Sequence, residues 1–366
     1  MRGGAYPSGF GGPTQKRCYE LTGPRVNTKS CRRKMGHLAI LGAGAWGTAL
    51  ARAQSERGEQ TRLWTWQAEH AALMQKERMN RAFLPGFSLP EGVDPNADLE
   101  HTLRGAGAVI LVVPTAGFRA TLELARPYID PSATLIIATK GIEPGSLMLL
   151  TEVVASVLGP AAAERCVVLS GPSFAKEVAL GLPTSVVAAS HSAKLATTVQ
   201  QRLSSEHFRV YAGDDPIGVQ VGGALKNVIA VAAGACDGLG FGYNTRAALI
   251  TRGLAEVARL ALAKGGHPLT LAGLAGLGEL VLTCTGELSR NRTLGYELGR
   301  GKSLEQALSG LGHVAEGVVT ADSAYHLAQR LGVELPISGE VYRVLFEHKP
   351  VSDAVRAVLS RPLTRE

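Results

Sequence analysis

The sequence predicts an α/β fold in which a sheet of parallel strands precedes an all-helical region. From residue 37 to about residue 215, continuous apolar runs of strand length alternate with helical stretches, as in parallel sheets that are buried on both faces. Beyond about residue 216 the strand-length runs stop. Long helical patterns take their place, over 216–236, 244–264, 316–331 and 336–347.

The predicted strands are short and rich in β-branched residues, which fit a pleated and buried surface. In chain order they are HLAIL, TRLWTW, AVILVVP, TLIIATK, CVVLSG, TSVVAAS and RVYAG. Glycine-rich turns such as KGGHP punctuate the helical patterns. No uninterrupted apolar run approaches the ~20 residues of a membrane span, so we expect no membrane-spanning segment.

The positive charge of the chain is concentrated at its N-terminus. The formal net charge is +7, but residues 1–34 hold eight of the 38 Lys and Arg residues and one of the 31 acidic residues. The remainder is therefore neutral, which argues against nucleic acid or a membrane surface as a partner. Residues 1–34 are rich in Gly and Pro without an apolar period, so we expect a disordered extension. We favour a start codon placed upstream of the true one, at Met35, over a targeting segment.

Five cysteines lie at scattered positions, two of them in the extension, and none has the spacing of a metal site. Neither a disulfide framework nor a zinc site is expected. This usage fits a reducing compartment, so we expect a cytoplasmic protein without a metal.

The first predicted strand runs into a glycine-rich turn, HLAILGAGAWGTALA, in which Gly42, Gly44 and Gly47 form the pattern G-x-G-x-x-G. At a strand-to-helix turn such glycines let the backbone approach a pyrophosphate, and the helix N-terminus supplies N–H groups. The alternative is a glycine turn that serves packing alone. We prefer dinucleotide binding, which predicts a Rossmann-type domain over 35–215 and a helical substrate domain over 216–366.

The choice between NAD and NADP stays open. The second strand ends near LWTWQAEH, where an NAD site usually places an acid on the ribose. Trp66 and Gln67 occupy this region, and Glu69 is expected to lie already in the next helix. Neither an acid nor an arginine for a 2′-phosphate stands at the end of the strand.

Polar residues follow two later strands at the edge where open α/β sheets bind ligands. Lys140 ends the run ATKG, although a solvated loop lysine is an equally good interpretation of the local sequence. Gly171 and Ser173 lie in SGPSFAKE, which also fits a helix that starts at a proline.

Lys226 lies in GGALKNVIAVAAGA, an apolar run with helical spacing. It could carry its charge to solvent past an apolar stem. It could instead lie in a partly dry cleft and exchange protons with a substrate, with Asn227 orienting the substrate or the lysine.

Further downstream, AGLGELVLTCTGELSRNRTLG carries a series of polar residues, namely Glu279, Thr283, Ser289, Arg290, Asn291 and Arg292. An arginine beside hydroxyl and amide donors suits a phosphate group. A solvated basic turn is the plainer interpretation of this motif alone.

Together and in order, these motifs resemble the NAD(P)-dependent glycerol-3-phosphate dehydrogenases, and the bacterial type in particular. The resemblance spans about residues 37–350 and is carried by GAGAWGTALA, NRAFLPG, VVP, ATKG, SGPSFAKE, GGALKNVIA, TRGLAE, AGLGELVLTCT and SRNR. It implies hydride transfer between NAD(P)H and dihydroxyacetone phosphate, which gives sn-glycerol 3-phosphate for phospholipid synthesis. It also implies a homodimer.

The resemblance assigns roles to individual residues. Lys226 matches the proton donor and acceptor of the family. The implied substrate contacts are Lys140, Gly171, Ser173, Lys226, Glu279, Ser289, Arg290 and Asn291. The implied cofactor contacts are Gly42, Gly44, Ala45, Trp46, Gly47, Trp66, Lys140, Ala175, Arg290 and Glu316.

One position departs from the family pattern, which usually has Asp in AGLGD where this chain has Glu279. The extra methylene moves the carboxylate by about 1.5 Å. We expect the same role with a small displacement.

Two alternatives to this function remain. One is another two-domain dehydrogenase, acting on a β-hydroxy acid or a sugar phosphate acid. The other is a catalytically silent dinucleotide sensor that binds DNA or protein through the basic extension. The neutral charge of residues 35–366 and the set of Lys140, Lys226 and Arg290 argue against the sensor.

Overall fold

The computed structural model of the protein describes residues 36–311 and 315–360, so the predicted extension over 1–34 lies outside the described residues. The strands form one sheet in the order β3-β2-β1-β4-β5-β6-β7-β8. They are β1 His37–Leu41, β2 Thr61–Trp64, β3 Val93–Asn96, β4 Ala106–Leu111, β5 Thr134–Ile137, β6 Cys166–Ser170, β7 Thr184–Ala189 and β8 Phe208–Gly213. The first six strands have the order of two βαβαβ halves, and the predicted Rossmann-type α/β fold is confirmed.

Helices alternate with the strands as far as β8, and only helical elements follow it within the described residues. Those within the sheet region are α1 Ala45–Ser55, α2 Ala68–Glu77, α3 Leu99–Leu103, α4 Phe118–Ala125, α5 Leu150–Leu158, α6 Pro160–Ala163, α7 Ala175–Ala179 and α8 Ala193–Leu203. After the last strand come α9 Pro216–Gly238, α10 Tyr243–Ala263, α11 Glu279–Thr285, α12 Arg290–Gly299, α13 Leu304–Ser309, α14 Glu316–Leu331, α15 Pro336–Phe346 and α16 Val351–Leu359. The predicted all-helical region after residue 216 is confirmed for the described residues.

Both faces of the sheet are buried. Successive side chains of a strand point to opposite faces, so one strand contributes to two apolar clusters. In β1, Leu38 and Ile40 belong to one apolar cluster, together with α1 and α8. Ala39 and Leu41 belong to a second cluster, together with α4 and α5. This explains why β1 reads as a continuous apolar run rather than an alternating one.

Two features of the sheet differ from the prediction. Strands β6 and β7 pair antiparallel, so the sheet is not wholly parallel. The helix between them, α7, has five residues and is about 7 Å long, too short to return the chain along a five-residue strand of about 16 Å. Strand β3 was not predicted, because its sequence VDPN is polar and contains a proline, which is tolerated at the edge of a sheet.

The long helix α9 is the centre of the helical region. It is apolar and long enough to cross a membrane by length and composition, and 94% of its most apolar window is buried inside the protein. Helix α12 approaches it very closely, since a Cβ atom on Gly234 or Gly295 would lie 1.9 Å from a backbone oxygen of the other helix. Small residues in α9 therefore allow it to be enclosed by its neighbours, and Lys226 is enclosed with them.

Candidate functional site

The glycine-rich turn after β1 has the backbone that only glycine supplies readily. Gly42 has a φ of +123°, and a Cβ atom there would lie 2.7 Å from the carbonyl oxygen of Val112, just beyond β4. A Cβ atom on Gly47 would lie 1.9 Å from the carbonyl oxygen of Gly42. The turn is thus pressed against β4, and α1 is pressed against the turn.

The residues of this turn fit a dinucleotide. Strands β1 and β4 are neighbours at the point where the strand order reverses, which is where doubly wound sheets bind nucleotides. Nothing lies within 4 Å of a Cβ atom placed on Gly44, so the backbone of α1 is open to a ligand at its N-terminus. The indole Nε1 of Trp46 is buried and has no hydrogen-bond partner among the described residues.

The end of β2 does not decide between NAD and NADP. Trp66 has 76% of its surface exposed, and Gln67 and Glu69 are exposed beside it. Glu69 lies in the first turn of α2, as expected. A flat aromatic surface at this place can contact an adenine ring without reading the 2′ position of its ribose.

Lys140 lies beyond β5, in a segment that packs against the residues after β4. The hydroxyl of Thr115 donates to the carbonyl oxygen of Lys140 at 3.2 Å. Gly141 has a φ of +156°, and a Cβ atom there would lie 2.2 Å from that hydroxyl. The segment after β4 therefore holds both the glycine-rich turn, through Val112, and Lys140, through Thr115.

A single carboxylate joins the two lysines that the sequence singled out. Glu279 begins α11 and is fully buried. Its Oε1 accepts a hydrogen bond from the Nζ of Lys140, and its Oε2 accepts one from the Nζ of Lys226. Lys226, on α9, has 9% of its surface exposed. The interpretation of Lys226 as a lysine that reaches solvent past an apolar stem is therefore wrong.

The charges at this site shift one another's titration. Burial alone would raise the pKa of Glu279, but the ammonium groups of Lys140 and Lys226 and their hydrogen bonds lower it to about 2. Burial lowers the pKa of Lys140 to about 8, against the opposing effect of Glu279. The carboxylate is therefore ionised at neutral pH, and Lys140 can change its charge near neutrality.

Gly171 and Ser173 lie at the same edge, where β6 ends. Gly171 has a φ of +139°, and its N–H donates to Oε1 of Glu279 at 3.0 Å. Ser173 donates from its hydroxyl to the carbonyl oxygen of Gly171 at 2.8 Å. Helix α7 begins at Ala175, after these residues, and so the alternative of a helix that starts at Pro172 is wrong.

The predicted phosphate motif lies where α12 begins, and two of its residues are engaged in the protein. The hydroxyl of Ser289 accepts from the N–H of Arg292 at 3.3 Å and so caps the helix. Asn291 donates to Asn227 and accepts from the N–H of Gly317, both at 2.9 Å. Arg290, in contrast, is exposed at the first position of α12. Its solvated side chain is compatible with the plainer interpretation of a basic surface, and its role in phosphate binding stays a prediction.

Glu316 completes the set from the start of α14. Its Oε2 accepts a hydrogen bond from Asn227 at 3.4 Å, and its charge acts on Lys140. The structure thus brings Lys140, Lys226, Glu279 and Glu316 to one place at the carboxyl edge of the sheet. Trp66 stands apart, at the end of β2.

Ser170 and Gly223 contribute to the site but were not among the candidate residues, and Thr283 was named within its motif without a role. Ser170, the last residue of β6, donates to Oε1 of Glu279 at 3.0 Å, and Thr283 accepts from Lys226 at 3.2 Å. A Cβ atom on Gly223 would lie 2.9 Å from the hydroxyl of Ser170 and 3.6 Å from Cγ of Lys140. The sequence held a signal for Gly223, since it precedes Lys226 by about one helical turn.

A glycine-rich nucleotide turn and two lysines that share one carboxylate lie at the carboxyl edge of one sheet. Hydride transfer needs a bound nicotinamide cofactor, and proton transfer needs a side chain placed beside it. The fold and the site therefore define a dinucleotide-dependent dehydrogenase. Within the described residues, no group of three or more His, Cys, Asp or Glu side chains could hold a metal ion.

Comparison with known proteins identifies the family. Residues 37–196 match the family described as NAD-dependent glycerol-3-phosphate dehydrogenase N-terminus, and residues 215–356 match the corresponding C-terminus. A glycerol-3-phosphate dehydrogenase [NAD(P)+] of Geobacter sulfurreducens is 50% identical over 329 residues, which is 90% of this chain and 98% of the relative. One of Trichlorobacter lovleyi is 51% identical over 329 residues, or 90% and 99% of the two chains.

A solved structure agrees with these sequence relatives. The glycerol-3-phosphate dehydrogenase (gpsA) of Coxiella burnetii is similar with a TM-score of 0.85 and 43% identity, and the match covers 89% of this chain and 99% of that chain. The chain belongs to the NAD-dependent glycerol-3-phosphate dehydrogenase family. It is an NAD(P)-dependent oxidoreductase, and the predictions of family, enzyme class and cofactor are confirmed.

Proposed function

We propose that the protein interconverts dihydroxyacetone phosphate and sn-glycerol 3-phosphate with NAD(P)H as the partner in hydride transfer. The observation that carries this proposal is the carboxylate of Glu279, which holds Lys140 and Lys226 together beside the nucleotide turn. The nicotinamide, when bound, supplies the redox chemistry. The residues of the chain bind and orient the substrate and move its proton.

Lys226 is the proton donor for ketone reduction. A lysine ammonium has three N–H donors. Two of them have partners among the described residues, Glu279 and Thr283, which leaves one for the C2 oxygen of the substrate. As negative charge develops on that oxygen, Lys226 gives it a proton. In the oxidation of glycerol 3-phosphate, the neutral amine takes the proton back.

Lys140 stabilises the same oxygen electrostatically and contacts the substrate. It comes to the site from the sheet, whereas Lys226 comes from α9, so the two ammonium groups approach the carboxylate from different elements. Because the Lys140 side chain is only 14% exposed, its charge acts in a weakly screened environment. The negative charge of Glu279 offsets the electrostatic repulsion between the two ammonium groups.

Arg290 binds the phosphate group of the substrate. It is exposed at the N-terminus of α12, where backbone N–H groups and the helix dipole also favour an anion. Ser289 and Asn291 are placed to shape this site, because the first caps α12 and the second ties it to α9 and α14. Gly171 and Ser173 border the substrate at the end of β6.

The cofactor lies along the turn of Gly42, Gly44 and Gly47 and the start of α1. Trp46 offers its unpartnered indole N–H there, and Ala45 begins the helix. Further cofactor contacts come from the residues that the family resemblance assigns, Trp66, Lys140, Ala175, Arg290 and Glu316. Glu316 is supported by its proximity to Asn227 and by its effect on Lys140.

The domain organisation follows the change in secondary structure. We place the boundary of the cofactor and substrate domains at residues 215 and 216, between the end of β8 at Gly213 and the start of α9 at Pro216. We further propose a cytoplasmic enzyme whose product enters phospholipid synthesis. The free cysteines support a reducing compartment, since Cys166, Cys236 and Cys284 are all unpaired and buried.

We also propose a homodimer. An apolar groove of about 1300 Å³ lies among α9, α10, α15 and α16, away from Lys226. Leu262 and Leu359 line it and are 61% and 69% exposed, an arrangement that favours a protein partner. Sedimentation of the whole chain and of a chain ending at Ser360 tests this. A monomer in both cases contradicts the dimer, and a dimer formed by the shortened chain alone would identify residues 361–366 as the occupant.

The function is tested by following nicotinamide absorbance. Loss of NADH or NADPH absorbance on adding dihydroxyacetone phosphate, with no loss on adding hydroxy or keto acids, is the expected result. Activity with an acid alone would favour another dehydrogenase of the same fold. Cofactor binding without turnover of any of these substrates would favour the silent sensor.

A further inference from the structure

Ser170 is a polar residue in an otherwise apolar strand. It ends β6, CVVLS, in which every residue is buried. A hydroxyl taken out of water without a partner is costly, so a serine at this place needs an acceptor. Its acceptor is Oε1 of Glu279, at 3.0 Å.

The surroundings of Ser170 direct the hydroxyl to Glu279. A Cβ atom on Gly223 would lie 2.9 Å from the Ser170 oxygen, so α9 closes the site from one side. The next residue, Gly171, donates its N–H to the same Oε1, also at 3.0 Å. The hydroxyl of Ser170 and the N–H of Gly171 therefore both bind Oε1, the oxygen that Lys140 also contacts. The other oxygen, Oε2, binds Lys226.

From this geometry we propose that Ser170 is a positioning residue, which holds the Glu279 carboxylate and thereby sets how readily Lys226 releases its proton. The proposal rests on the role of Lys226 proposed above. Ser170 contacts neither substrate nor cofactor in this scheme and acts through Glu279. A hydrogen bond donated to a carboxylate disperses its negative charge, and so weakens its hold on a neighbouring ammonium.

The other charged groups around this pair have defined places. Lys140 lies beyond β5, and Glu316 lies at the start of α14 and acts on Lys140. Cys284, on α11, has its thiol pKa raised to about 12 by burial, so it stays neutral. Replacement of Ser170 leaves these side chains in place, but Lys140 shares Oε1 with Ser170 and responds to the same loss. A change in the pH profile therefore reports the carboxylate through the lysines that it holds.

The test is the Ser170→Ala variant, with turnover measured against pH for glycerol 3-phosphate oxidation, which needs the neutral amine. Without the hydroxyl, Glu279 holds the ammonium more strongly. We expect the acidic limb of the profile to move up by at most about one pH unit, because a hydrogen bond to a charged group is worth about one to two pH units for that group and the lysine feels part of this change. Turnover at a fixed pH on that limb falls up to about tenfold, while the KM for glycerol 3-phosphate stays near that of the wild type.

Two further variants separate positioning from packing. Ser190→Ala removes another buried hydroxyl that bonds to the backbone of β6 at its other end, 2.8 Å from the oxygen of Cys166, and it should leave the profile unchanged. Ser170→Thr retains the hydroxyl and should restore the wild-type profile. A wild-type profile in Ser170→Ala, or an equal shift in Ser190→Ala, overturns the proposal.

The proposal and the function on which it rests fail in different ways. If Lys226→Met retains turnover, the proposed role of Lys226 is wrong, whatever Ser170 does. If Lys226→Met is inactive and the profile of Ser170→Ala matches that of the wild type, the positioning role alone is wrong.

Discussion

Replacement of Glu279 by Gln removes the negative charge that lies between two ammonium groups, whose side chains are 14% and 11% exposed. Glutamine keeps the shape of the side chain, but its amide cannot balance Lys140 and Lys226. Separating a buried ion pair by removing one partner costs about 3–5 kcal/mol, because the remaining charge stays buried. We expect the free energy of unfolding at pH 7 to fall by about this amount.

The titration of Glu279 gives an independent magnitude and a direction. Its pKa is about 2 in the folded protein, below its ordinary value of 4.5. A carboxyl group with a depressed pKa stabilises the fold fully above its ordinary value and loses that effect as the pH falls through the folded value. The shift corresponds to about 3 kcal/mol. The stability difference between wild type and Glu279→Gln should therefore shrink as the pH falls from 4.5 towards 2.

Urea denaturation at a series of pH values measures this difference, and turnover is measured on the same preparations. Glu256→Gln is the matched control. Glu256 is also buried, but it accepts from the N–H and hydroxyl of Ser338 and from the N–H of Ile337 rather than from a lysine. It should leave turnover unchanged. Wild-type stability of Glu279→Gln at pH 7, or a difference that does not change with pH, refutes the shared carboxylate.

Arg290→Ala should remove a charge-assisted contact of about 1.5–3 kcal/mol and raise the KM for dihydroxyacetone phosphate about 10- to 150-fold, and saturation as easy as in the wild type would place the phosphate elsewhere. Gly171→Ala should lower both stability and turnover, because its Cβ atom would lie 2.8 Å from Cα of Val186 and displace the N–H from Glu279. The control is Gly145→Ala, which shares the positive φ but has no atom within 4 Å of its Cβ position, and it should lower stability alone. A chain that begins at Met35 should keep full stability and activity, and loss of either would assign a role to residues 1–34.

Local patterns were sufficient to predict seven of the eight strands and the long helices. Leu38 to Leu41 read as a buried parallel strand because packing on both faces leaves no polar position, and α9 shows its helical spacing despite Lys226. The edge strand β3 was missed since its residues carry no apolar pattern. The reversal of β7 was missed since strand direction depends on the length of the intervening helix, which a motif such as SGPSFAKE does not reveal.

The sequence names the residues of the candidate site but does not show how they are bonded to one another. Lys140, Lys226 and Glu279 are far apart in the chain, and only the packing of α9 and α11 against the sheet edge shows that one carboxylate serves both lysines. Ser170 carries no signal of its own, because a serine at the end of a strand has many ordinary explanations. Asn291 and Ser289 show the converse, as residues of the phosphate motif whose side chains are bonded within the protein.

In the proposed reaction Lys226 moves the substrate proton, and the Lys226→Met variant removes the group that carries it. Methionine keeps the apolar stem within α9 and deletes the ammonium, so the fold and the affinity for NADH or NADPH, which depend on the turn from Gly42 to Gly47, should persist. Turnover should fall by the ~10²–10⁴-fold expected for loss of general acid–base catalysis. Lys226→Arg should restore little, because a guanidinium stays protonated and cannot accept a proton. The decisive measurement is turnover beside cofactor affinity in Lys226→Met. Retained affinity with turnover reduced by at least a hundredfold is the expected result, and turnover near that of the wild type would contradict it.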